Sequence, residues 1–201
     1  MNRLRIFLIM CLLITGLVGT HAQINWGVKA GLNVSNVTDF DTDYRAGFNG
    51  GIVGQYMFGD ALGLETGLYY SMQGYKMEIF SIQGKKESDE TVTASYLKLP
   101  VQAIYKFKVG QNLYLYPAAG LYFAYGIGGS DMNIVDYQGN KIEDSDYFDF
   151  AKRFDMGLAV GANLQFEKFL IGVGYDYGLL KVFKKDTHNS NVMVNVGYFF
   201  N

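Results

Sequence analysis

Along most of this chain large apolar residues alternate with small or polar ones, and the parity that carries them holds no charged residue. In the first such stretch Ile24, Trp26, Val28, Ala30, Leu32 and Val34 share one face, whereas Asn25, Gly27, Lys29, Gly31 and Asn33 share the other. Successive strand side chains point to opposite sides of a sheet, so this pattern predicts a strand with one face in an apolar phase. The series continues through Phe48–Phe58, Leu62–Met72, Leu97–Phe107, Leu113–Tyr125, Phe154–Phe166, Phe169–Tyr177 and Val192–Phe200, eight stretches in all. No segment carries a helical period.

The connections alternate in length. Gly59-Asp60-Ala61, Lys108 to Asn112 and Glu167-Lys168 are short, while Ser35 to Ala46, Met77 to Thr91, Ile127 to Arg153 and Leu180 to Asn189 are long. Transmembrane barrels have short periplasmic turns and long extracellular loops. The expected fold is therefore an eight-stranded antiparallel up-and-down β-barrel in the outer membrane of a Gram-negative bacterium, both termini periplasmic and the long loops extracellular. A soluble barrel would turn the same apolar parity inward, but an eight-stranded interior has room for little more than its own side chains.

Residues 1–22 read as a cleaved signal peptide, with Arg3 and Arg5 before an apolar core and Thr20-His21-Ala22 at a cleavage site. Residues 23–201 form the barrel domain. Cys11, the one cysteine, lies in the leader, so the mature domain has no thiol chemistry. Acidic residues outnumber basic ones, 19 to 17, which disfavours nucleic acid as a partner. Outer-membrane lipid and, during biogenesis, the barrel assembly machinery are the expected partners, and no cofactor or metal is expected.

The lumen parity carries Lys29, Lys98 and Lys106 against Glu65, Asp155 and Asp176. Charges away from water need partners, so these six predict a polar network with lumen tyrosines and amides. A gate or small solute or ion pore is the alternative use of the same residues. His188 and Ser190 form the one enzyme-like pair, similar to the base and nucleophile of lipid A-modifying barrel enzymes. A serine nucleophile requires a base oriented by an acid, and no third member is evident, so the chain reads as non-enzymatic. Asp39, Asp41 and Asp43 alternate in the first loop as a solvated acidic cluster without the glycine and distal glutamate of a calcium loop. Asp136 to Lys141, with Gly139 and Asn140, reads as a hairpin turn in the third.

Gly27-Val-Lys29-Ala-Gly31-Leu-Asn33, Tyr96-Leu-Lys-Leu-Pro100, Phe154-Asp155-Met-Gly157 with Gly161, Gly172-Val-Gly174-Tyr175 and Val196-Gly197-Tyr198 resemble, in order and spacing, the PorT-like outer-membrane β-barrel family of Bacteroidetes. The resemblance covers the mature chain. It implies the same fold and membrane, no catalytic residue, and an association with secretion of proteins to the cell surface. The expected role is structural or interactive, with another envelope or secretion protein as partner.

Overall fold

The computed structural model describes residues 24–38, 42–80, 86–135, 141–182 and 187–200. The leader expected at 1–22, Asp39, Asp41 and the turn at 136–140 lie outside the described residues. The strands are β1 (Ile24–Val37), β2 (Asp43–Met57), β3 (Leu62–Phe80), β4 (Lys86–Tyr105), β5 (Phe107–Gly110), β6 (Leu113–Gly129), β7 (Asp131–Val135), β8 (Lys141–Asp146), β9 (Phe154–Phe166), β10 (Phe169–Gly178) and β11 (Asn189–Phe199), with one helical turn, α1 (Tyr147–Phe150).

Neighbouring strands pair antiparallel in the order β4-β3-β2-β1-β11-β10-β9-β6, and β4 pairs with β6 to close the ring. β5 continues β4 after a break at Lys106 and also pairs with β6, so the wall has eight staves. At the seam between chain ends β1 runs against β11 from Gly27↔Phe199 to Val37↔Asn189. Closure leaves every wall strand a hydrogen-bonded neighbour on both sides, as lipid requires.

The apolar parity faces out. Trp26, Leu32, Ile52, Leu121, Leu158, Val173 and Val196 are all exposed, while Asn33, Asn49, Ser71 and Asn191 on the opposite parity are buried. This is the inverse of a soluble core, and it covers the wall with the side chains that the alternation assigns to lipid.

The strands run further than the hydrophobic alternation does. The stretch Met77 to Thr91, expected as a loop, is mostly paired β3–β4 backbone, with Met77↔Glu90 and Ile79↔Ser88 in register. β1 likewise continues to Val37 and β2 begins at Asp43. Alternation records a boundary between lipid and lumen, and above the membrane both faces of a strand are wet, so the period fades while the ladder persists. In the third loop β7 and β8 form a separate two-stranded sheet. The helical turn that follows is too short to show a period.

Candidate functional site

The lumen is the place where charge, aromatic bulk and burial converge. In its lower half, toward the short turns, Lys29 on β1 donates to Glu65 on β3 at 2.5 Å. Glu65 also accepts from Gln55 Nε2 at 2.8 Å and from Tyr116 Oη at 3.2 Å. Lys106, at the break between β4 and β5, donates to Gln165 Oε1 at 2.9 Å and lies 5.4 Å from the Tyr116 ring centroid. Below them Val53, Ile104, Tyr116, Leu170 and Phe199 pack into an apolar plug.

In the upper half Lys98 on β4 forms a buried ion pair with Asp176 on β10 and sits 4.2 Å over the Tyr122 ring. Among the described residues no lysine pairs with Asp155. Its carboxylate accepts from Tyr122 Oη at 2.8 Å, from Asn189 Nδ2 at 2.9 Å and from the Met156 amide at 2.9 Å. Tyr122 packs with Tyr96 and with Tyr147 of α1 in one cluster, which joins this layer to the third loop. The six lumen charges thus fall into two layers, one ion pair in each, with Lys106 and Asp155 held by amides, phenols and ring faces. Arg45 belongs to the same interior: it is buried on β2 and donates to the Gln73 carbonyl at 3.3 Å. The alternation does not reveal it, because the apolar series of that strand starts only at Phe48, although Arg45 shares parity with Gly47 and Asn49.

The third loop closes the upper mouth. Tyr147 and Phe148 turn inward and pack with Tyr75, Val92, Tyr96 and Tyr122. The Phe148 ring meets Tyr96 edge-on at 5.6 Å, and Arg153 lies 5.0 Å from its centroid. Gly126 makes the slot for that ring, since a Cβ there would lie 2.1 Å from Phe148 Cζ. The turn is tied to the wall by Ser130, whose carbonyl accepts from the Tyr147 amide at 3.3 Å and whose own amide donates to the Thr93 carbonyl at 2.8 Å. Burial, then the neighbouring Tyr96, hold the Tyr147 phenol above its ordinary pKa, so it stays a neutral donor.

His188 and Ser190 lie on the outer parity. The His188 ring stacks on Tyr177 at 5.8 Å, and Ser190 Oγ donates to Tyr175 Oη at 3.3 Å. Asp176 is on the other side of the wall with Lys98. The pair is therefore engaged with tyrosines, and among the described residues no acid is assembled with it. Asp43 is exposed at the start of β2. Among the described residues no group of three or more His, Cys, Asp or Glu is placed to hold a metal.

A closed eight-stave barrel with an apolar exterior and a polar interior defines an outer-membrane β-barrel protein. The family model described as outer membrane protein beta-barrel domain matches residues 20–184, and the chain belongs to that family. No curated protein matches the chain. Among solved structures, the Neisserial surface protein A is similar at 17% identity with a TM-score of 0.51, covering 89% of this chain and 99% of that one. The Yersinia pestis attachment invasion locus protein Ail, solved with the heparin analogue sucrose octasulfate, is similar at 20% identity with a TM-score of 0.44, over 89% of this chain and 99% of Ail. OprG from Pseudomonas aeruginosa is similar at 14% identity with a TM-score of 0.48, over 90% and 98% of the two chains. At these identities the likeness speaks to the fold alone.

Proposed function

We propose that this protein is a non-enzymatic barrel with a structural or interaction role in the cell envelope, presenting its hairpins to another envelope protein. In this reading both termini lie in the periplasm and the long loops face outward. The observation that carries it is the obstructed and capped lumen: ion pairs, tyrosines and the Tyr147–Phe148 turn occupy much of the interior, and the parts not used to build the wall include the β3–β4 tip and the β7–β8 hairpin. Binding by loops on a rigid scaffold is the usual arrangement. The more specific role, in protein secretion to the surface, is supported by the resemblance to PorT-like barrels. A pore is opposed by the capped lumen, and a lipid A-modifying activity by the engagement of Ser190 with Tyr175.

The experiment is native-gel mobility of the tagged protein after gentle detergent extraction from its own outer membrane, with identification of co-migrating chains. A discrete larger complex that loses its partner when the β7–β8 hairpin is replaced by a short turn is the expected result. A species of barrel size alone, under every extraction condition, refutes the interaction role.

A further inference from the structure

Toward the long loops the wall opens along one line. β4 and β6 stay paired through Ser95↔Gly128 and Ala94↔Gly129, and one step further the ladder ends at Thr93 and Ser130. Ser130 itself ends it. Its amide still donates to the Thr93 carbonyl at 2.8 Å, but its own carbonyl accepts from the Tyr147 amide, and the Thr93 amide donates instead to Ser130 Oγ at 3.1 Å. In the same phase the next partners of Thr91 and Asp89 would be Met132 and Ile134, yet these pair with Ser145 and Glu143 of β8. β7 and β8 form a sheet of their own, and among the described residues no strand fills the lane that β6 leaves.

β4 continues past that point. It stays paired to β3 on its other side, with Lys76↔Thr91, Glu78↔Asp89 and Ile79↔Ser88 in register. Backbone groups of an antiparallel strand alternate in direction, so Thr91 and Asp89 turn their amides and carbonyls the way Thr93 does, away from β3. From Ser88 to Val92 this leaves an open edge about 16 Å long. Such an edge is a template for another chain, and addition of an extended peptide to it is a recurring mode of recognition.

Charge selects the occupant. The edge strand carries Glu87, Asp89 and Glu90 against Lys86, and the hairpin that starts beside Ser130 carries Asp131, Glu143, Asp144 and Asp146 against Lys141. Opposite charges across a strand pair stabilise it, and like charges directly opposite destabilise it. A second copy of the same edge would set acid against acid, whereas a basic strand meets acids on both sides of the lane.

We propose that β4 accepts, along Ser88 to Val92, an extended lysine- or arginine-rich segment of another protein as an additional antiparallel strand. This rests on the interaction role argued above and specifies its recognition mode and the chemistry of the partner. Ser130 and Tyr147 have a positioning part in it, since the bond between them ends the β4–β6 ladder and keeps the lane open.

The test is titration of the full-length protein, folded in phosphatidylcholine vesicles, with a short fluorescein-labelled peptide of alternating lysine and threonine, read by anisotropy. The peptide binds, and N-methylation of its amides, which keeps the charge and removes the donors, weakens binding by about tenfold or more. Thr91→Pro removes one edge donor and no bond to β3, and weakens binding by about tenfold, whereas Thr91→Val changes it by less than about twofold. Glu87→Gln with Asp89→Asn weakens it by about threefold, an effect that shrinks at high salt. Heat-modifiable gel mobility verifies that each variant is folded. Equal binding of the N-methylated peptide, equal binding of a peptide alternating glutamate and threonine, no binding of the lysine peptide, or binding untouched by Thr91→Pro would each overturn the proposal. On native gels a partner complex that survives Thr91→Pro would overturn strand addition while leaving the interaction role standing.

Discussion

The two ion pairs look alike, but their loss should not cost the same. Each lysine and its partner are almost wholly buried, with side-chain exposures of 7% and 5% for Lys29 and Glu65 and 6% and 5% for Lys98 and Asp176. Removing one partner of a buried pair strands the other charge, at about 3–5 kcal/mol. In Lys29→Met the stranded group is Glu65, which keeps Gln55 at 2.8 Å and Tyr116 at 3.2 Å as donors. Hydrogen bonds to a charged group contribute about 1.5–3 kcal/mol each, so even one of the two retained at full strength should bring the cost down to roughly 1–2 kcal/mol. In Lys98→Met the stranded group is Asp176, for which Lys98 is the donor among the described residues, and the contact over the Tyr122 ring disappears as well. That variant should carry the full ~3–5 kcal/mol. The two pairs are buried to the same degree, so the difference, about 2 kcal/mol, is the robust quantity. Urea unfolding of the refolded barrel in lipid vesicles measures it, with Trp26, the one tryptophan, as the emission probe and gel mobility as the second signal. Lys98→Met with Asp176→Asn should recover most of the loss. Equal costs, or a larger loss for Lys29→Met, would refute the assignment of partners.

Three further outcomes follow from the wall and the loop. Val173→Arg, in mid-strand on the lipid face of β10, should destabilise the folded barrel by about 2–4 kcal/mol at the bilayer midplane, read from the same urea curves; a neutral effect would contradict the facing of that parity. Trp26 emission should be strongly quenched by brominated acyl chains and barely by iodide, and the opposite preference would place it off the lipid face. Gly126→Ala should displace Phe148, since the new Cβ meets the ring at 2.1 Å, and should raise protease cutting within residues 127–153 while leaving global stability nearly unchanged. In a Phe148→Ala background the same glycine change should add nothing, as two changes on one contact do not sum.

The wall was legible because membrane and lumen impose opposite demands on adjacent residues. From Trp26 to Phe200 the outward series contains no charge, and a period of two with that purity marks a sheet that separates an apolar phase from a polar one. The lumen charges were legible as a set but not as pairs. Which lysine meets which carboxylate depends on stagger: Glu65 stands opposite Gln102 on β4 yet reaches Lys29 on β1, two strands away in the other direction. Arg45 was hidden by a strand that outlasts its lipid-facing signal. The stopper was hidden for a different reason. Tyr147 and Phe148 sit among Asp144, Asp146 and Asp149, a composition that reads as solvated loop. Only the slot at Gly126, on a strand that precedes the whole β7–β8 hairpin, gives the ring a place to go, and no local pattern links the two positions.

The alternation also bears on how such a chain travels. Its lipid-facing side chains arrive one at a time, separated by Gly, Asn, Lys or Tyr of the lumen parity, so no strand offers the run of about 20 apolar residues that halts a helix in a bilayer. While extended, the chain has no greasy surface, only greasy points at every second residue. That surface is assembled by geometry, when β1 at one end of the domain meets β11 at the other and all staves turn the same parity outward together. The same polymer can therefore pass through one membrane as a polar thread and settle in another as an apolar solid, with ring closure as the step that changes its solvent.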